Sequence, residues 1–340
     1  MFSKIRQWFG RRVPDDARGD RGASRSDSPG EQGNGLLADD RSDQLMDGRD
    51  IAHWYGSMLF AAGCYTEGSL TDDEWTWLRD WRELVLKRDE SFANLVPRLP
   101  VVMPKLMAAL RDPENVDLKG VAYLIESDPV LSANVLKVVN SPAMRGGGED
   151  IDSIPHAVTR MGCNNLREVI SAAIATPLYD FRRDVRLNDQ ALRSIWPQSL
   201  KVATNVKAGA GLAGMPDCGF ALYLAALSHT TGLMVLLRGF KKLQSTHVSS
   251  EFVAELEQLA RNVSTKVARG WEFDEEAVAI LEAWAEGRVG ASSVTLLSHA
   301  IEFGRVHHLC ALGHFDLNTC ERYRGTLPEY ACGWSCGIER

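Results

Sequence analysis

The chain is predicted to be all-α. Apolar residues recur at helical spacing in nearly every segment from residue 50 to residue 310. Cap residues, glycines and prolines bracket those segments where helices should start and stop. No period-2 run of useful length and no credible strand pair interrupts them.

Residues 1–48 stand apart. They are rich in Gly, Ser, Asp and Arg and almost lack large apolar groups, so they bury too little surface to offset their ordering entropy and are expected to be a disordered tail. The first twelve residues, "MFSKIRQWFGRR", differ. Phe2, Ile5, Trp8 and Phe9 fall at helical spacing among Lys4, Arg6, Arg11 and Arg12. A short helix lying on a membrane surface or docking a partner has this pattern, and so has a frayed tail with an incidental apolar face.

Residues 49–92 read as a helical pair. The first helix is "IAHWYGSMLFAAGCY", ending before Gly68. The second opens with Thr71 and Glu74 at capping-box spacing. Trp75, Trp77 and Trp81 give it a wide face that suits core packing or a partner surface.

The main domain is placed at residues 93–310. "LVPRLPVVMPKLMAALRDPE" has a proline-rich entry and then an amphipathic helix. Asp117 suits the cap of "LKGVAYLIES", and Asp128 the cap of "PVLSANVLKVVN", with Pro129 at the first helical position. That helix ends near Asn140, because Pro142 disfavours helix at Ser141. Ser153 starts "IPHAVTRM", Gly162 stops it, and Asn165 with Glu168 start "LREVISAAIAT". Beyond residue 190 come "SIWPQSLKVATNVKAGAGLAG", "DCGFALYLAALSH", "TGLMVLLRGFKKL", a helix capped by Ser249 or Ser250, one capped by Asp274, and "SSVTLLSHAIEFGRVHHLCALG". Residues 311–340 form a short Cys-bearing tail.

Composition narrows the function. A net charge of −7 and a pI near 5.7 argue against sequence-independent nucleic-acid binding. No run of 18 apolar residues suggests a membrane span, and residues 1–12 lack the apolar core of a signal peptide. Seven scattered cysteines are expected as free thiols in a cytoplasmic protein, peripheral to the inner membrane if residues 1–12 touch lipid.

The helix–Gly–helix at 154–175 has the outline of a DNA-reading helix-turn-helix. Its second helix carries one Arg and an apolar face, too little to reach base edges. No dinucleotide fingerprint, phosphate loop or nucleophile elbow is present. Cys310, Cys320, Cys332 and Cys336 lie near His307, His308 and His314, but without the paired spacing of a zinc knuckle. "GAGLAG" (209–214) follows no strand, so its small residues are expected to allow close helix packing.

The segment "LPVVMPKL" at Leu99 and Pro100, then "SDPVLSANVLKVVNSP", then the "SI..AV..MG...LRE" pair, "IWPQSLKVA" and "AALSHTTGLMVL" together resemble the HDOD domain, the HD-related output domain of bacterial signalling proteins. The resemblance covers about residues 93–290. It implies a multi-helix bundle related to HD-type phosphohydrolases, usually without a complete metal site. HD hydrolases hold a divalent ion with histidines and an aspartate, and the ion makes water nucleophilic near neutral pH. By that resemblance the first-histidine position is Gln198, the His-Asp pair is His229–Thr230, and the downstream pair is Glu282–Ala283. A threonine hydroxyl cannot replace an anionic ligand, and a catalytic site typically needs about three protein ligands. His229 is therefore expected to be vestigial, with no catalytic residue, no metal and no cofactor.

The expected function is that of a non-catalytic regulatory, signal-transducing protein that binds signalling proteins, and also a small ligand in one version. The alternative is a metal-dependent phosphohydrolase acting on a nucleotide or cyclic dinucleotide. Asp128, Pro129, Asn140, Ser141 and Pro142 form the candidate binding surface carried by the family motif. The competing reading of these residues is local: Asp128 caps a helix and Asn140 satisfies groups at a helix end.

Overall fold

The computed structural model describes residues 48–334, apart from 87–91, 93–95, 97–100, 103–104, 107–108, 111–115, 145–148, 180–183 and 289. The expectations for residues 1–12, for the rest of the tail to residue 47, for Leu99 and Pro100, and for Cys336 lie outside the described residues.

Twelve α-helices are present among the described residues. They are α1 (Gly48–Ser57), α2 (Asp72–Leu86), α3 (Leu118–Glu126), α4 (Pro129–Val139), α5 (Ile154–Ala175) and α6 (Asp189–Leu212). Then come α7 (Gly219–Ser228), α8 (Thr231–Arg238), α9 (Ser250–Gly270), α10 (Glu275–Ala285), α11 (Ser292–Ala311) and α12 (Leu317–Gly325). The expected start signals act as caps. Asp117 accepts from the Lys119 amide, Ser249 from Phe252 and Asp274 from Glu276. Gly162 interrupts α5 with φ 65°, a left-handed conformation that costs glycine little. The second half of α5 turns Leu166, Val169 and Ile170 into the core, and its Arg167 guanidinium lies 4.2 Å from the centre of the Phe220 ring.

Four expectations need correction. The first helix stops at Ser57, eight residues early, because the chain turns out to place Phe60 against Leu187 as an isolated bridge. Two short strands do exist: β1 (Tyr65–Thr66) pairs in parallel with β2 (Val248–Ser249). Pairs of two residues leave no periodic trace in a sequence. The C-terminal segment is not plain tail, since Asp316 caps α12 through the Thr319 amide. Finally, Cys310 and Cys320 are joined as a disulfide rather than left as free thiols. The turn between α11 and α12 brings them together beneath Ile51 and Val306.

Helices α7 and α8 are the centre of the bundle. Every residue of α7 except Phe220 is buried, and α8 is buried from Thr231 to Leu237. Apolar groups all round a helix demand neighbours all round it. Helix α6 and helix α10 cover α7, and α9 covers α8. Residues Pro216–Lys242 are together long and apolar enough to cross a membrane, but 94% of their most apolar window is buried in the fold and the helix breaks at His229–Thr230. Helices α3, α4 and α5 pack as a group, and α5 joins it to α7.

Helices α1 and α2 pack on the main bundle, α1 against α9 and α11, and α2 against α9. The capping box at Thr71 forms as the spacing predicts: the Thr71 amide donates to Glu74 at 2.8 Å and the Glu74 amide to the Thr71 hydroxyl at 3.3 Å. The buried Glu74 carboxylate also accepts from the Ser249 amide at 2.7 Å and its hydroxyl at 2.9 Å, so one side chain fastens α2 to the start of α9. Trp77 and Trp81 are buried, whereas Trp75 is half exposed. Two of the three tryptophans are thus core residues.

Close approach explains the glycines at two crossings. A Cβ on Gly232 would collide with the Ala260 carbonyl oxygen and the Ser264 amide of α9. A Cβ on Gly209, in "GAGLAG", would sit 3.0 Å from the Trp334 indole nitrogen and 3.2 Å from Leu296.

Candidate functional site

The break between α7 and α8 puts "SHTT" at the centre of the molecule. His229 ends α7 and is 8% exposed. Its Nδ1 donates to the Ala226 carbonyl one turn back, which fixes the neutral tautomer and leaves the lone pair on Nε2. Ser264 on α9 donates to the His229 carbonyl at 3.0 Å and accepts from the Gly232 amide at 2.9 Å. Thr230 and Ser199 of α6 share a hydrogen bond at 2.7 Å. The turn is therefore tied to α6 and α9 by side chains, and its geometry is fixed.

A small cavity of about 30 Å³ opens beside His229 and Thr230. Its other walls hold one carboxylate, Glu257, and that group is already taken up by two arginines. Arg261 of α9 and Arg305 of α11 each donate from Nη2 to the same Glu257 oxygen at 2.8 Å. The Arg261 guanidinium lies 4.7 Å from the Trp284 ring centre, and that of Arg305 lies 5.0 Å from the Tyr55 ring centre. Trp284 meets His229 edge-on at 6.2 Å. Burial raises the Glu257 pKa, but the positive charges of Arg305 and Arg261 outweigh it and hold the carboxyl down to about 2. Burial is also the main reason that His229 falls to about 4; the two arginines add to it, against the bond to Ala226. At neutral pH the cluster holds two guanidiniums, one carboxylate and a neutral imidazole.

Gln198 and Ala283 do not join this cavity. The Gln198 amide donates to the Gly304 carbonyl of α11. Glu282, next to Ala283, pairs with Arg269 on the outer side of α9. A divalent ion needs anionic or neutral donors, and here the position of the missing carboxylate carries a hydroxyl already bonded to Ser199. The remaining charge around His229 is net positive. These residues do not fit the metal of HD hydrolases, and among the described residues no group of three His, Cys, Asp or Glu side chains is placed to hold one.

Residues Glu257, Arg261 and Arg305 were not anticipated. The sequence does carry a signal for two of them. On the apolar face of α9, Val253, Leu256, Ala260 and Ser264 recur at helical spacing, and Glu257 and Arg261 lie on that same face. Charges on a core-facing stripe must be paired.

The family-motif residues lie elsewhere, around α4. Asp128 accepts from the Val130 and Leu131 amides, both at 3.0 Å, and is the cap of α4. Ser141 donates to the Val138 carbonyl. The Asn140 side chain both donates to the Ile151 carbonyl and accepts from the Ile151 amide, each at 2.8 Å. It closes the loop between α4 and α5 rather than serving carbonyls of its own helix end. Pro129 and Pro142 are exposed. The polar groups of this segment are thus taken up by backbone, while Tyr123 and Val130 stand 72% and 65% exposed beside it.

Among the described residues, the C-terminal cysteines and histidines do not converge. Cys310 and Cys320 bond each other, Cys332 is exposed, and His307 and His308 are buried in α11. Burial lowers both histidines to about 4.

No curated protein matches the chain. One similar solved structure is a protein of Shewanella amazonensis SB2B, provisionally described as a metal-dependent phosphohydrolase. It is 19% identical, with 75% of this chain and 89% of that one covered and a TM-score of 0.49. Another is an HDOD domain protein of unknown function from Geobacter sulfurreducens, 22% identical, with 71% and 78% covered and a TM-score of 0.48. The HDOD family pattern itself matches residues 96–286, which include α3 to α10, the Asp128–Pro142 segment and the His229–Thr230 turn. With more than half of its length in that match, the chain belongs to the HDOD domain family.

Proposed function

We propose that the chain is a non-catalytic regulatory protein of signal transduction that works by binding other signalling proteins through its HDOD domain. One observation carries the reading. At the place where a hydrolase needs a carboxylate to hold a divalent ion, Thr230 is bonded to Ser199, and the facing wall carries the guanidiniums of Arg261 and Arg305 against one carboxylate, Glu257, that both already hold. A cationic wall repels the ion that would activate water. His229 keeps the tautomer of a ligand, but alone it cannot hold or orient the ion.

The test is turnover. The full chain is incubated with bis-p-nitrophenyl phosphate or a cyclic dinucleotide, with Mn²⁺ or Fe²⁺ added. No metal-dependent hydrolysis is expected. Hydrolysis that His229→Ala abolishes would overturn the proposal.

A further inference from the structure

Cys310 at the end of α11 and Cys320 in α12 form the only covalent cross-link among the described residues. Cys64, Cys218 and Cys332 are free thiols. We propose that the Cys310–Cys320 bond is a redox latch, which a dithiol reductant opens to free α12 from α11 while the helical core stays folded. Such a latch gives the chain a redox input whether or not it is catalytic.

Helix α12 has little else to hold it down. It is nine residues long, too short to be stable as an isolated helix, so its order depends on what it packs against. Cys320 is its only buried residue. Leu317, its one aliphatic side chain, is 59% exposed. The Tyr323 hydroxyl donates to the Glu302 carboxylate of α11 at 3.0 Å, and the Tyr323 ring is only partly buried. A single hydrogen bond exchanged with water contributes little net stability. The Arg324 guanidinium reaches the Cys332 and Trp334 carbonyls at 2.8 and 3.2 Å, which are bonds within the C-terminal segment itself. Further on, Ala331 and Trp334 are buried, with the Trp334 ring 5.4 Å from that of Phe303. Residues 313–330 thus run between two anchors, the disulfide and Trp334.

The core does not need the bond. Disulfides that carry a fold belong mainly to small domains that cannot build a sufficient apolar core. Here α7 and α8 are buried on all sides, far along the chain from the ten-residue loop that the bond closes. The bond acts at the edge, where Ile51 of α1 and Val306 of α11 lie beneath it and Phe315 meets Trp54 edge-on at 6.3 Å. The Cys310 sulfur is 3.7 Å from the carbonyl oxygen of Asp316, the residue that caps α12, so the helix starts directly over the bond. Release of α12 would uncover Ile51 and Val306.

The chemistry is thiol–disulfide exchange. Cys310, 9% exposed against 2% for Cys320, is the more accessible half of the pair. A thiolate of the dithiol attacks the Cys310 sulfur, the S–S bond breaks, and Cys320 leaves as a thiolate that takes up a proton. The second thiol of the reductant then attacks the mixed disulfide and releases Cys310 as a thiol. Two protein thiols form, and the dithiol is oxidised to its disulfide.

The experiment is hydrogen–deuterium exchange of the full chain by mass spectrometry, before and after treatment with dithiothreitol, with alkylation to count thiols. Cys310→Ser/Cys320→Ser is the variant that cannot close the latch. Dithiothreitol is expected to add two alkylatable thiols in the native protein, at Cys310 and Cys320. Exchange over Leu317–Gly325 is expected to speed up at least tenfold, with α6 and α9 unchanged. The variant is expected to exchange at the faster rate with or without dithiothreitol. A bond that resists dithiothreitol in the native protein, or equal protection of α12 in both states, overturns the proposal. Loss of protection that spreads to α6 and α9 in the reduced wild type overturns it too, because the bond would then hold the whole fold. A variant whose α12 still responds to dithiothreitol assigns the response to another thiol and overturns it as well.

Discussion

Replacing Glu257 by glutamine keeps the shape of the side chain and removes the carboxylate shared by Arg261 and Arg305. The cost can be worked in two ways. The carboxyl pKa falls from 4.5 to about 2 on folding. At about 1.4 kcal/mol per pKa unit this is about 3 kcal/mol of stability. Breaking a buried ion pair by removing one partner typically costs about 3–5 kcal/mol. The side chains of Glu257, Arg261 and Arg305 are 20%, 25% and 11% exposed, so solvent screens them little and the two figures agree. The sign follows from the lowered pKa. The carboxylate's contribution is complete above the unfolded pKa near 4.5 and is lost as pH falls towards 2. Urea unfolding at pH 7 should therefore show Glu257→Gln less stable by about 3 kcal/mol, and the gap should narrow below pH 4.5. In Glu257→Gln/Arg305→Met the penalty should be smaller than the sum of the single changes, because the second change removes one stranded charge. A loss under about 1 kcal/mol at pH 7, or a gap that does not change with pH, would refute the reasoning.

Other consequences follow from buried groups. His229, His307 and His308 are all pushed down to about 4, so their contribution is present above the unfolded value of 6.5 and is lost as pH falls from there towards 4. Each removes about 1.4 kcal/mol per pH unit across that window. His307 has neither ring nitrogen bonded and sits 4.3 Å from Phe303, so His307→Phe should flatten the pH dependence of the thermal midpoint between pH 6.5 and 4; an unchanged slope would contradict this. Gly232→Ala should destabilise by about 3 kcal/mol or more, because the clash is with backbone of α9 and cannot be relieved by a rotamer; a soluble variant with an unchanged unfolding midpoint would contradict the crossing. Asn140→Ala should cost about 2 kcal/mol through the two Ile151 bonds, and Asp128→Ala about 1 kcal/mol as a lost cap, both read by urea unfolding. Titration of thiols in denaturant without reductant should find no more than five of the seven cysteines, with seven contradicting the Cys310–Cys320 bond.

Local chemistry was readable because its cause is local. Thr71 and Glu74, Asp117, Asp128, Ser249 and Asp274 announce helix starts through bonds within three residues. Gly162 announces a break that only a positive φ allows. Asn140 was half readable: its place at a helix end was visible, but its partner Ile151 lies across a loop. The site divides in the same way. His229 and Thr230 are adjacent, and their place at a helix junction follows from the apolar runs on either side. Glu257 and Arg261 are one turn apart and betray themselves as charges on a core-facing stripe. Arg305 is 44 residues from Arg261, and nothing short of the packing of α11 on its neighbours brings it to Glu257. Gln198 was expected at the cavity, but α6 turns its side chain to Gly304 instead. The Cys310–Cys320 bond depends on the turn after α11, whose geometry no spacing rule specifies.

The most direct test of the central claim is the metal content of the full chain, purified without chelator or histidine tag and measured by mass spectrometry. A site walled by Arg261 and Arg305 and lacking a carboxylate at Thr230 predicts well under one Mn, Fe or Zn per chain, unchanged in His229→Ala. A near-stoichiometric signal that His229→Ala abolishes would contradict it.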